Sequence, residues 1–448
     1  VIDPSWSDTA SQDCYIESGA NAGTNFCGLS VDEAGANNGI AARSLVAFDT
    51  SSIPANVSVM NAEFDLTLEQ AVFNTATAIE AHQATRAWTS GATWTSYDGS
   101  HAWTTPGGDF TPSVLWSTTA GPAGGGGYAW YITSLAQGWV NGTIANDGLL
   151  LKATDETSND ELEFASEENG SQGDDPTLTV AYRFWMGLQP YWTYEGRALN
   201  DRMDVQVNVA NGNLVFHAND FSLAGTGQGL SLDRWVNSLL PQELWQPSNG
   251  YDSHLYVWPD GVEYGNGAGT FSEFAQPQGS SSYVSPPGID ATLVKNGDGS
   301  YTLTSSHSGL AQNFPACACS WLPLGSQVDK NGNTISWHNR GDGLSDSITD
   351  TQGRQVSLAW QGGLNQASFV NSATDWTGRK ASYTPDASWN VATSTDPNNK
   401  QTTYGYDSAN RLSWVKDAEG RETAFGYDSQ SRLTSIDYGD DSSSAAQW

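Results

Sequence analysis

The chain has 448 residues, of which 50 are acidic and 18 are basic, so its formal net charge is −32. A surface of this charge repels phosphate backbones and anionic lipids, and we expect neither nucleic acid nor membrane insertion. The same charge suits solubility, divalent cations or high salt. Glycine is abundant (47 residues), methionine is rare (3), and long stretches of Leu, Glu, Lys and Ala are missing. This composition predicts an all-β protein of short strands and tight turns.

Four cysteines are too few for a disulfide-framework protein of this length. Cys14 and Cys27 flank a strand-sized segment rich in Gly and Asn, and we predict that they form a disulfide. Cys317 and Cys319 lack a second Cys or His pair at metal-binding spacing, so we expect an oxidised pair there as well. Oxidised cysteines indicate a protein that is secreted or exposed on a cell surface.

No apolar stretch approaches the 18 residues that a membrane-spanning helix needs. The chain begins at Val1 without a methionine, which fits a processed terminus and a trimmed sequence equally well. Three Asn-x-Ser/Thr sequons, at Asn56, Asn141 and Asn169, permit glycosylation. They do not argue for it, because three in a chain of this length is near chance.

Residues 1–182 contain short alternating apolar stretches separated by Gly, Pro, Asn and Ser turns. This spacing predicts a two-sheet antiparallel β-sandwich. Residues 131–140 are the exception, because Ile132, Leu135 and Trp139 recur at helical spacing, and we predict one short helix there. The expected core or strand positions of the sandwich are Leu45, Val46, Phe48, Phe64, Leu66, Leu150 and Val180.

A family resemblance runs through most of this segment. It is carried by residues 12–16, 42–49, 52–54, 59–64, 85–88, 92–94, 137–140, 146–152 and 176–180. In this order they closely resemble the DNRLRE-type, carbohydrate-binding-module-like sandwich of bacterial and archaeal surface proteins, from which the two cysteines depart. The resemblance implies a jelly-roll-like fold that binds a surface glycan or a cell-wall polymer.

Such sandwich modules often carry a structural calcium ion, so the resemblance makes calcium a candidate ligand. Asp13, Asp49 and Asp155 lie near the predicted strand ends, but no compact EF-type loop is present. The sequence therefore leaves the metal site unassigned.

Aromatic residues crowd into the 29 residues from Trp88 to Trp116. Exposed rings stack on the C–H faces of sugars while nearby polar groups bind the hydroxyls. Trp88 and Trp94 belong to the resemblance pattern, so we expect them in the sandwich core. Tyr97, Trp103 and Trp116 are the candidate carbohydrate-binding residues. For Tyr97 and Trp103 a place in the core is an equally good interpretation.

Residues 183–203 form an aromatic-rich junction that is too apolar for a freely flexing linker. Short strands return from residue 204. Residues 212–214, 220–221, 229–238 and 255–261 resemble the opening segment of bacterial Rhs proteins. We therefore take residues 204–448 as the second part of the chain.

An internal repeat dominates this second part. An Asp-x-x-Gly/Asn turn begins at Asp329, Asp350, Asp375, Asp396 and Asp417, at spacings of 21, 25, 21 and 21 residues. Its fourth residue is a glycine at Gly332, Gly353, Gly378 and Gly420. Tyr406-Asp407 also recurs 21 residues later, as Tyr427-Asp428. A period near 20 means that each repeat is one hairpin, which cannot bury its apolar face alone.

We therefore predict that residues from about 200 to 448 form one continuous strip of antiparallel hairpins. The aromatic residues that follow the turns should lie in one row on neighbouring strands. They are Trp337, Trp360, Tyr383, Tyr404 and Phe425.

This pattern resembles the YD repeats of Rhs proteins and teneurins, in which the sheet spirals into a hollow shell. Together with the sandwich, it resembles the wall-associated Rhs proteins of the polymorphic-toxin class. The resemblance implies a non-catalytic surface scaffold in which the sandwich serves for attachment. The repeats would form the wall of a shell that encloses a cargo, and a toxin enzyme would lie downstream.

Motifs of catalysis and of cofactor binding are missing, namely Gly-x-Ser-x-Gly, His-Glu-x-x-His, Walker and dinucleotide patterns. We therefore expect no enzyme and no cofactor in this region. Two alternatives remain. One is a stand-alone lectin-like adhesin with the repeats as a stalk. The weaker one is a secreted polysaccharide-active enzyme, for which no carboxylate pair can be singled out. Self-association is left open.

Overall fold

The computed structural model describes residues 5–122, 125–171, 173–239, 253–317, 321–362, 369–439 and 446–447. This part of the chain contains 34 β-strands and one α-helix, α1 (Thr133–Val140), so the predicted all-β fold is confirmed. No helix among the described residues is long and apolar enough to cross a membrane. The chain divides into two compact units. The sandwich unit comprises residues 5–183 with 277–280, and the repeat unit comprises 184–276 and 281–447.

The sandwich unit is built from antiparallel strands in two layers. Its strands are β1 (Ser5–Thr9), β2 (Gln12–Glu17), β3 (Val31–Asn37), β4 (Ile40–Ala47), β5 (Val57–Ala71), β6 (Thr77–Gln83), β7 (Trp116–Ala120), β8 (Gly126–Tyr131), β9 (Leu149–Ala153), β10 (Leu162–Ala165) and β11 (Thr177–Phe184). One layer has the order β1-β11-β5-β10-β3, with β8 also on β5. The other has the order β3-β4-β9-β6-β7, with β2 also on β4.

Strand β3 belongs to both layers. Residues 31–34 pair with β10, and residues 35–37 pair with β4. Gly35 lies at the change of partner with a φ of 132°, and a Cβ added there would lie 2.7 Å from the Cα of Glu161. Only glycine fits so close an approach of two backbones.

The core between the layers is centred on Trp130 of β8. Its ring contacts those of Phe64 and Phe164, and its indole N–H donates to the carbonyl of Ile79 at 2.8 Å. Buried aromatic side chains of this size supply much of the stabilisation of a small sandwich. All seven core positions predicted from the sequence are at most 5% exposed, and that prediction is confirmed.

The outer face of β4 and β9 is also covered. Residues 84–115 fold over it, and Trp88 and Trp103 pack there against Leu45 and Leu150. We call this segment the covering loop. Cys14 on β2 belongs to the same apolar cluster and forms a disulfide with Cys27. The long segment between β6 and β7 is therefore an ordered layer of the unit.

The repeat unit contains 23 strands in its described residues. They are β12 (Tyr194–Ala198), β13 (Met203–Asn208), β14 (Leu214–Leu223), β15 (Leu230–Asn237), β16 (His254–Trp258), β17 (Gly261–Gly265), β18 (Phe271–Ala275), β19 (Ala291–Lys295), β20 (Tyr301–Ser305), β21 (Ala311–Phe314), β22 (Trp321–Pro323), β23 (Ser326–Val328), β24 (Thr334–Asn339), β25 (Ser345–Thr349), β26 (Gln355–Gln361), β27 (Phe369–Asp375), β28 (Lys380–Pro385), β29 (Val391–Thr395), β30 (Gln401–Tyr406), β31 (Leu412–Lys416), β32 (Glu422–Tyr427), β33 (Leu433–Asp437) and β34 (Ala446–Gln447).

These strands form three sheets. Strands β12-β13-β14-β15 make one four-stranded sheet, and β18-β17-β16-β22 make another. The remaining fifteen strands, from β19 to β34 without β22, follow one another in chain order in the repeat sheet. The prediction of one continuous strip from residue 200 is therefore wrong for residues 194–275 and correct for the hairpins after residue 291. The aromatic junction contributes β12 to the first small sheet.

The repeat sheet buries one face against the two small sheets, and this gives two apolar cores. In one, Ile335 and Ile348 pack with Leu255 and Phe274. In the other, Tyr404 packs with residues of the first small sheet. The repeat sheet alone would expose one apolar face to water, and the two small sheets cover that face.

The five repeat aromatics all face these cores. Trp337 belongs to one core, Trp360 packs against both, and Tyr383, Tyr404 and Phe425 belong to the other. They lie on every second strand instead of on neighbouring strands, because each repeat supplies two strands and the intervening one carries a smaller residue opposite the ring. The residues opposite Tyr404 and Phe425 are Val415 and Ile436.

Candidate functional site

The three aromatic residues predicted to bind carbohydrate have different surroundings. Trp103 is 4% exposed, and its indole N–H donates to the carbonyl of Thr93 at 2.8 Å. A ring buried in the core of the covering loop cannot stack on a sugar, so the prediction for Trp103 is wrong. Tyr97 packs edge-on against it at 5.9 Å and is half-buried. Trp116 instead contacts Tyr131, at the edge strand β7.

A row of charged side chains lies on the outer face of β4, β9 and β6, beside the covering loop. Glu80 of β6 pairs with Lys152 of β9, and the register of β4 and β9 places Arg43 beside Lys152. Because side chains alternate along a strand, all three point away from the inner core. We call the group formed by Arg43, Glu80, Lys152 and Glu156 the polar face.

The members of the polar face hold one another in place. The Arg43 guanidinium binds Glu156 through two hydrogen bonds of 2.6 and 2.8 Å. The Lys152 ammonium lies 3.6 Å from Glu80 and 3.9 Å from Glu156. Their side chains are between 13 and 19% exposed, so they keep access to solvent while their positions are defined. Such convergent, pre-ordered polar groups are typical of small-molecule sites.

The surroundings of Glu80 keep its carboxylate ionised. Burial alone would raise the pKa of Glu80, but the hydrogen bond from Thr154 and the charge of Lys152 outweigh it and lower that pKa. The hydrogen bond joins Thr154 Oγ1 to Glu80 Oε1 at 3.0 Å. At neutral pH the carboxylate of Glu80 therefore accepts hydrogen bonds and does not donate them.

Aromatic rings of the covering loop border the polar face. The Arg43 guanidinium lies 4.7 Å from the ring centre of Trp94 and 5.4 Å from that of Phe110. Trp94, which the sequence places in the core, is in fact half-buried beside this charged row. The arrangement joins hydrogen-bonding groups with apolar ring surface, the combination that carbohydrate recognition needs.

Sequence reasoning did not identify the polar face. Arg43, Glu80 and Lys152 are separated by 37 and 72 residues and meet only through the order β4-β9-β6. Arg43 and Lys152 each lie within a segment of the family resemblance. An isolated charge within an apolar strand was the available signal, because such a residue must have a polar neighbour.

The repeat turns share one hydrogen-bond geometry. Each Asp Oδ1 accepts from the backbone N–H groups of the second and fourth following residues, at 2.8–3.0 Å. The turns begin at Asp329, Asp350, Asp375, Asp386, Asp396, Asp407, Asp417 and Asp428. The Asp residues of both Tyr-Asp pairs therefore begin the same turn as the Asp-x-x-Gly motifs, and from Asp375 onward a turn occurs every 10 or 11 residues.

An arginine completes five of these turns. In each, the Arg four residues after the Asp donates through Nε to Oδ2 at 2.6–2.8 Å. The arginines are Arg354, Arg379, Arg411, Arg421 and Arg432. Burial alone would raise the pKa of Asp375, but hydrogen bonds from Thr377 and Arg379 lower it to about 2. These carboxylates are structural and hold the hairpin ends.

The tyrosines of the two Tyr-Asp pairs are also structural. The hydroxyl of Tyr406 donates to the carbonyl of Val391 at 3.0 Å, and that of Tyr427 to the carbonyl of Leu412 at 2.6 Å. Each tyrosine thus joins its strand to the preceding one, and the following Asp starts the next turn.

A buried charge network joins the first small sheet to the repeat sheet. Arg234 of β15 is 2% exposed and binds Asp220 of β14 through two hydrogen bonds of 2.6 and 2.9 Å. The hydroxyl of Tyr383 donates to Asp220 at 2.7 Å, and Arg234 donates to the hydroxyl of Tyr404 at 2.7 Å. Two of the repeat aromatics are therefore tied by their polar ends to the neighbouring sheet.

Two of the three candidate calcium ligands are satisfied without a metal. Asp49 accepts from the N–H of Ser51 at 3.0 Å, and Asp155 accepts from Thr157 and Ser158 within its own turn. These hydrogen bonds lower the pKa of both carboxyls. Asp13 differs, because it is buried and close to other acidic groups.

The remaining predicted residues concern covalent chemistry. Cys317 is disulfide-bonded, and Cys319 lies outside the described residues. Asn141 is exposed, whereas Asn56 and Asn169 are half-buried. The side-chain amide of Asn169 donates to Glu69 at 3.2 Å. Glycosylation of these sequons stays a prediction.

Comparison with known proteins gives distant structural matches and one family match. No curated protein matches the chain. The chain is similar to a Tc holotoxin pore of Photorhabdus luminescens, with 13% identity, 52% of this chain and 11% of that chain covered, and a TM-score of 0.22. The crystal structure of TcdB2-TccC3-TEV gives 12% identity, coverages of 57% and 16%, and a TM-score of 0.18.

A further similar structure is TcdB2-TccC3 without its hypervariable C-terminal region, with 10% identity, coverages of 88% and 20%, and a TM-score of 0.17. The chain thus spans a fifth or less of the length of these chains. Carbohydrate-binding modules are non-catalytic domains typical of extracellular proteins. Residues 5–182, nearly the whole sandwich unit, match the family model of carbohydrate-binding module family 96.

Proposed function

We propose that this chain is a non-catalytic extracellular scaffold of the Rhs class, whose sandwich unit attaches it to a neutral glycan. The observation that carries the attachment role is the row of Arg43, Lys152 and Glu80, partly exposed on the outer sheet face and bordered by the ring of Trp94. The match of this unit to a carbohydrate-binding family supports the ligand class.

The charges of the polar face favour a neutral sugar. Two cations and two carboxylates balance, so the face offers donors and acceptors without a net charge. Neighbouring sugar hydroxyls can donate to a carboxylate while accepting from a guanidinium or ammonium group, and charge-assisted hydrogen bonds are the stronger kind. A polyanionic polymer would meet a protein with a formal net charge of −32. We therefore place neutral polysaccharides ahead of polyuronates.

Affinity electrophoresis and calorimetry of the full chain against neutral polysaccharides and a polyuronate test this proposal. The variant Lys152→Met removes one donor of the polar face, and we expect a loss of affinity of about tenfold, equivalent to about 1.4 kcal/mol. Lys330→Met, at an exposed lysine of the repeat unit, is the matched control and should bind like the native chain.

The variant Tyr97→Ala separates the two candidate surfaces. Binding should survive this change if the polar face is the site and should be lost if the covering loop binds sugar through the half-buried ring of Tyr97. Equal affinity of the native chain and Lys152→Met for a glycan that both bind would overturn the assignment to the polar face. A melting temperature for each variant shows whether it is folded.

The scaffold role is supported by the repeat sheet itself. Fifteen antiparallel strands follow one another in chain order, and their turns repeat one geometry. Because each hairpin contacts only its neighbours in the sheet, further hairpins can extend the sheet with the same turn and strand pairing. This fits the resemblance to YD repeats and a role as part of the wall of a cargo-enclosing shell. A lectin-like adhesin, with the repeats as a stalk, is the alternative.

The coding sequence beyond Trp448 distinguishes the two roles. We expect further Tyr-Asp pairs at spacings near 21 residues, followed by an unrelated domain. A natural stop at this point would contradict the shell role and favour the adhesin.

A further inference from the structure

A cavity of about 240 Å³ lies within the repeat unit, between the first small sheet and the repeat sheet. The buried side chains of Asp220, Arg234 and Tyr404 form its floor. Exposed residues of the turns that begin at Asp396 and Asp417 surround its mouth. We call this space the sheet cavity. It leads from the protein surface to the buried ion pair of Arg234 and Asp220.

The floor carries hydrogen-bonding groups in fixed positions. Arg234 Nη2 donates to the hydroxyls of Tyr404 at 2.7 Å and of Ser394 at 3.1 Å, and these two hydroxyls lie 3.0 Å apart. Among the described residues, none accepts a hydrogen bond from Arg234 Nη1, which is buried. A buried N–H group without a partner is unfavourable, so an oxygen atom beside this guanidinium group would stabilise the site.

An ion pair across the two sheets holds the mouth in shape. Arg202, just before β13, lies 3.2 Å from the carboxylate of Asp396 in the repeat sheet. The same guanidinium donates to the backbone carbonyl of Asp220 at 3.3 Å. Lys400 is exposed and lines the opening beside this pair. The walls are therefore ordered before a ligand binds, which lowers the entropic cost of binding.

The charges of the lining restrict the ligand. Five carboxylates and three cations line the sheet cavity, so phosphate, sulfate and uronate groups would be repelled. At the floor, the guanidinium of Arg234 opposes a cationic ligand. The aliphatic lining consists of Met203 and two alanines, which is too little for an apolar ligand. A small, neutral molecule with many hydroxyl groups fits these conditions.

We propose that the sheet cavity binds one neutral sugar ring. Sugar hydroxyls both donate and accept, so one ring can accept hydrogen bonds from Arg234 and Lys400 while donating to the carboxylates at the mouth. Pockets for drug-sized ligands have roughly 300–1,000 Å³, so the smaller sheet cavity suits a single ring better than a chain. The proposal does not depend on the polar face, because the two sites lie in different units.

Hydrogen exchange of the full chain tests this site, with glucose, galactose and mannose offered separately at millimolar concentration. At least one of them should slow exchange in peptides from β30 and from the turn that begins at Asp417, because these residues line the cavity and a ligand of the folded state protects its surroundings. Glucuronate should give no protection, because its carboxylate meets a lining with an excess of negative charge. Glucosamine in its ammonium form should protect less than the neutral sugar.

A tryptophan at the mouth should close the cavity. Ala418 lines it and is the second residue of its turn. The second residue of the turn at Asp375 is Trp376, which is 47% exposed, so this turn geometry accepts tryptophan at that position. Ala418→Trp should therefore fold and lose the protection by sugar. Ala387→Trp makes the same change at the second residue of a turn outside the lining and should keep the protection.

A second variant covers the case in which Ala418→Trp does not fold. Lys400→Met removes an exposed donor at the mouth and should weaken sugar binding about tenfold by calorimetry. Lys330→Met, at an exposed lysine outside the lining, should bind like the native chain.

Four results would overturn the proposal. They are no protection of β30 in the native chain by any of the three neutral sugars, unchanged protection in a folded Ala418→Trp, unchanged affinity in Lys400→Met, and glucuronate binding as tight as that of the neutral sugar. A sugar that protects peptides of β9 and not those of β30 would also overturn it, while leaving the polar face as the attachment site.

Discussion

The two units of the molecule treat their carboxyl groups in opposite ways. In the repeat unit, each turn aspartate is satisfied by two backbone N–H groups of its own turn, and in five turns by an arginine four residues later. In the sandwich unit, Asp13 of β2 and Asp32 and Glu33 of β3 lie near other acids, and burial raises the pKa of each. The repeat unit thus satisfies its carboxylates within each turn, whereas the surroundings of these sandwich carboxyls are made by residues that are distant in the sequence.

This difference explains which features are visible in a sequence. A turn whose donors and acceptors lie within five residues recurs as a motif, because the same short pattern must be present each time. A cluster assembled from distant strands leaves no such pattern. The comparison therefore predicts that the repeat unit tolerates loss of a turn partner, whereas clusters that depend on tertiary contacts do not.

The largest expected effect concerns the one buried ion pair of the repeat unit described above. Replacing Arg234 by Met leaves Asp220 buried without its cation, which typically costs about 3–5 kcal/mol. Urea unfolding, followed by hydrogen exchange of peptides from β14 and from β30, should show the loss in the repeat unit.

The matched control is Arg421→Met, at a turn arginine whose side chain is 58% exposed. Exposed pairs contribute about 0–1 kcal/mol, so this variant should remain close to the native chain. In the double variant Arg234→Met/Asp220→Leu the buried charge is gone, and part of the lost stability should return. Equal losses for Arg234→Met and Arg421→Met would show that local and tertiary pairs do not differ here.

The pH dependence of stability should also distinguish the sandwich unit from the turns of the repeat sheet. Burial raises the pKa of Asp13 to about 7 and, with Glu161 and Glu17 nearby, that of Glu33 to about 8. The folded sandwich then holds protons that the unfolded chain releases at lower pH. Its stability should therefore fall as the pH rises from about 5 to about 8.

The turns of the repeat sheet should show no such fall over that range, although burial raises the pKa of Glu273 in the second small sheet to about 8. The pKa of Asp375 is lowered to about 2, so its contribution is complete above pH 4 and is lost only on further acidification. In the first small sheet, burial opposes protonation of His217, but Asp204 and Asp233 raise its pKa to about 9, so that contribution is complete below about pH 6.5 and is lost as the pH rises from there through 9. Hydrogen exchange of β3 and β30 between pH 5 and 8, corrected for intrinsic rates, measures both units; equal slopes would contradict the comparison.

The same difference between local and tertiary contacts determines which parts of this fold can be predicted from the sequence. The all-β fold, the sandwich core, the helix within residues 131–140 and the hairpin repeats all depend on local alternation or recurrence. The two small sheets were missed because their strands share no repeat with the hairpins and lie within a segment that looked continuous with them. Trp103 was misassigned because a tryptophan among Gly, Ser and Thr gives no sign of being covered. The polar face and the surroundings of the buried carboxyls Asp13 and Asp32 depend on strand order, which local patterns do not contain.

The smallest expected effect concerns the fourth residue of each repeat turn. It has a positive φ, between 59 and 86°, in all eight turns described. The residue is a glycine in four of these turns, and in the other four it is Trp389, Asn399, Asn410 or Ser431. L-residues are strained in this region, and glycine is not. The fourth turn position should therefore favour glycine, and two opposite substitutions can measure the effect of that preference on stability.

Gly420→Ala and Ser431→Gly make this pair, at the turns on either side of β32. A Cβ added at Gly420 would meet no atom within 4 Å. The alanine should therefore lower the free energy of unfolding only through backbone strain, by about 1–2 kcal/mol. Ser431→Gly removes the strain at a φ of 63° and should gain about 0.5 kcal/mol, because the flexibility of glycine in the unfolded chain offsets part of the relief. Urea unfolding of both variants measures the two changes. If the two stability changes had the same sign, the positive φ would not determine which residue is favoured at this position. The shared turn geometry would then have to be maintained by the aspartate and its hydrogen bonds alone.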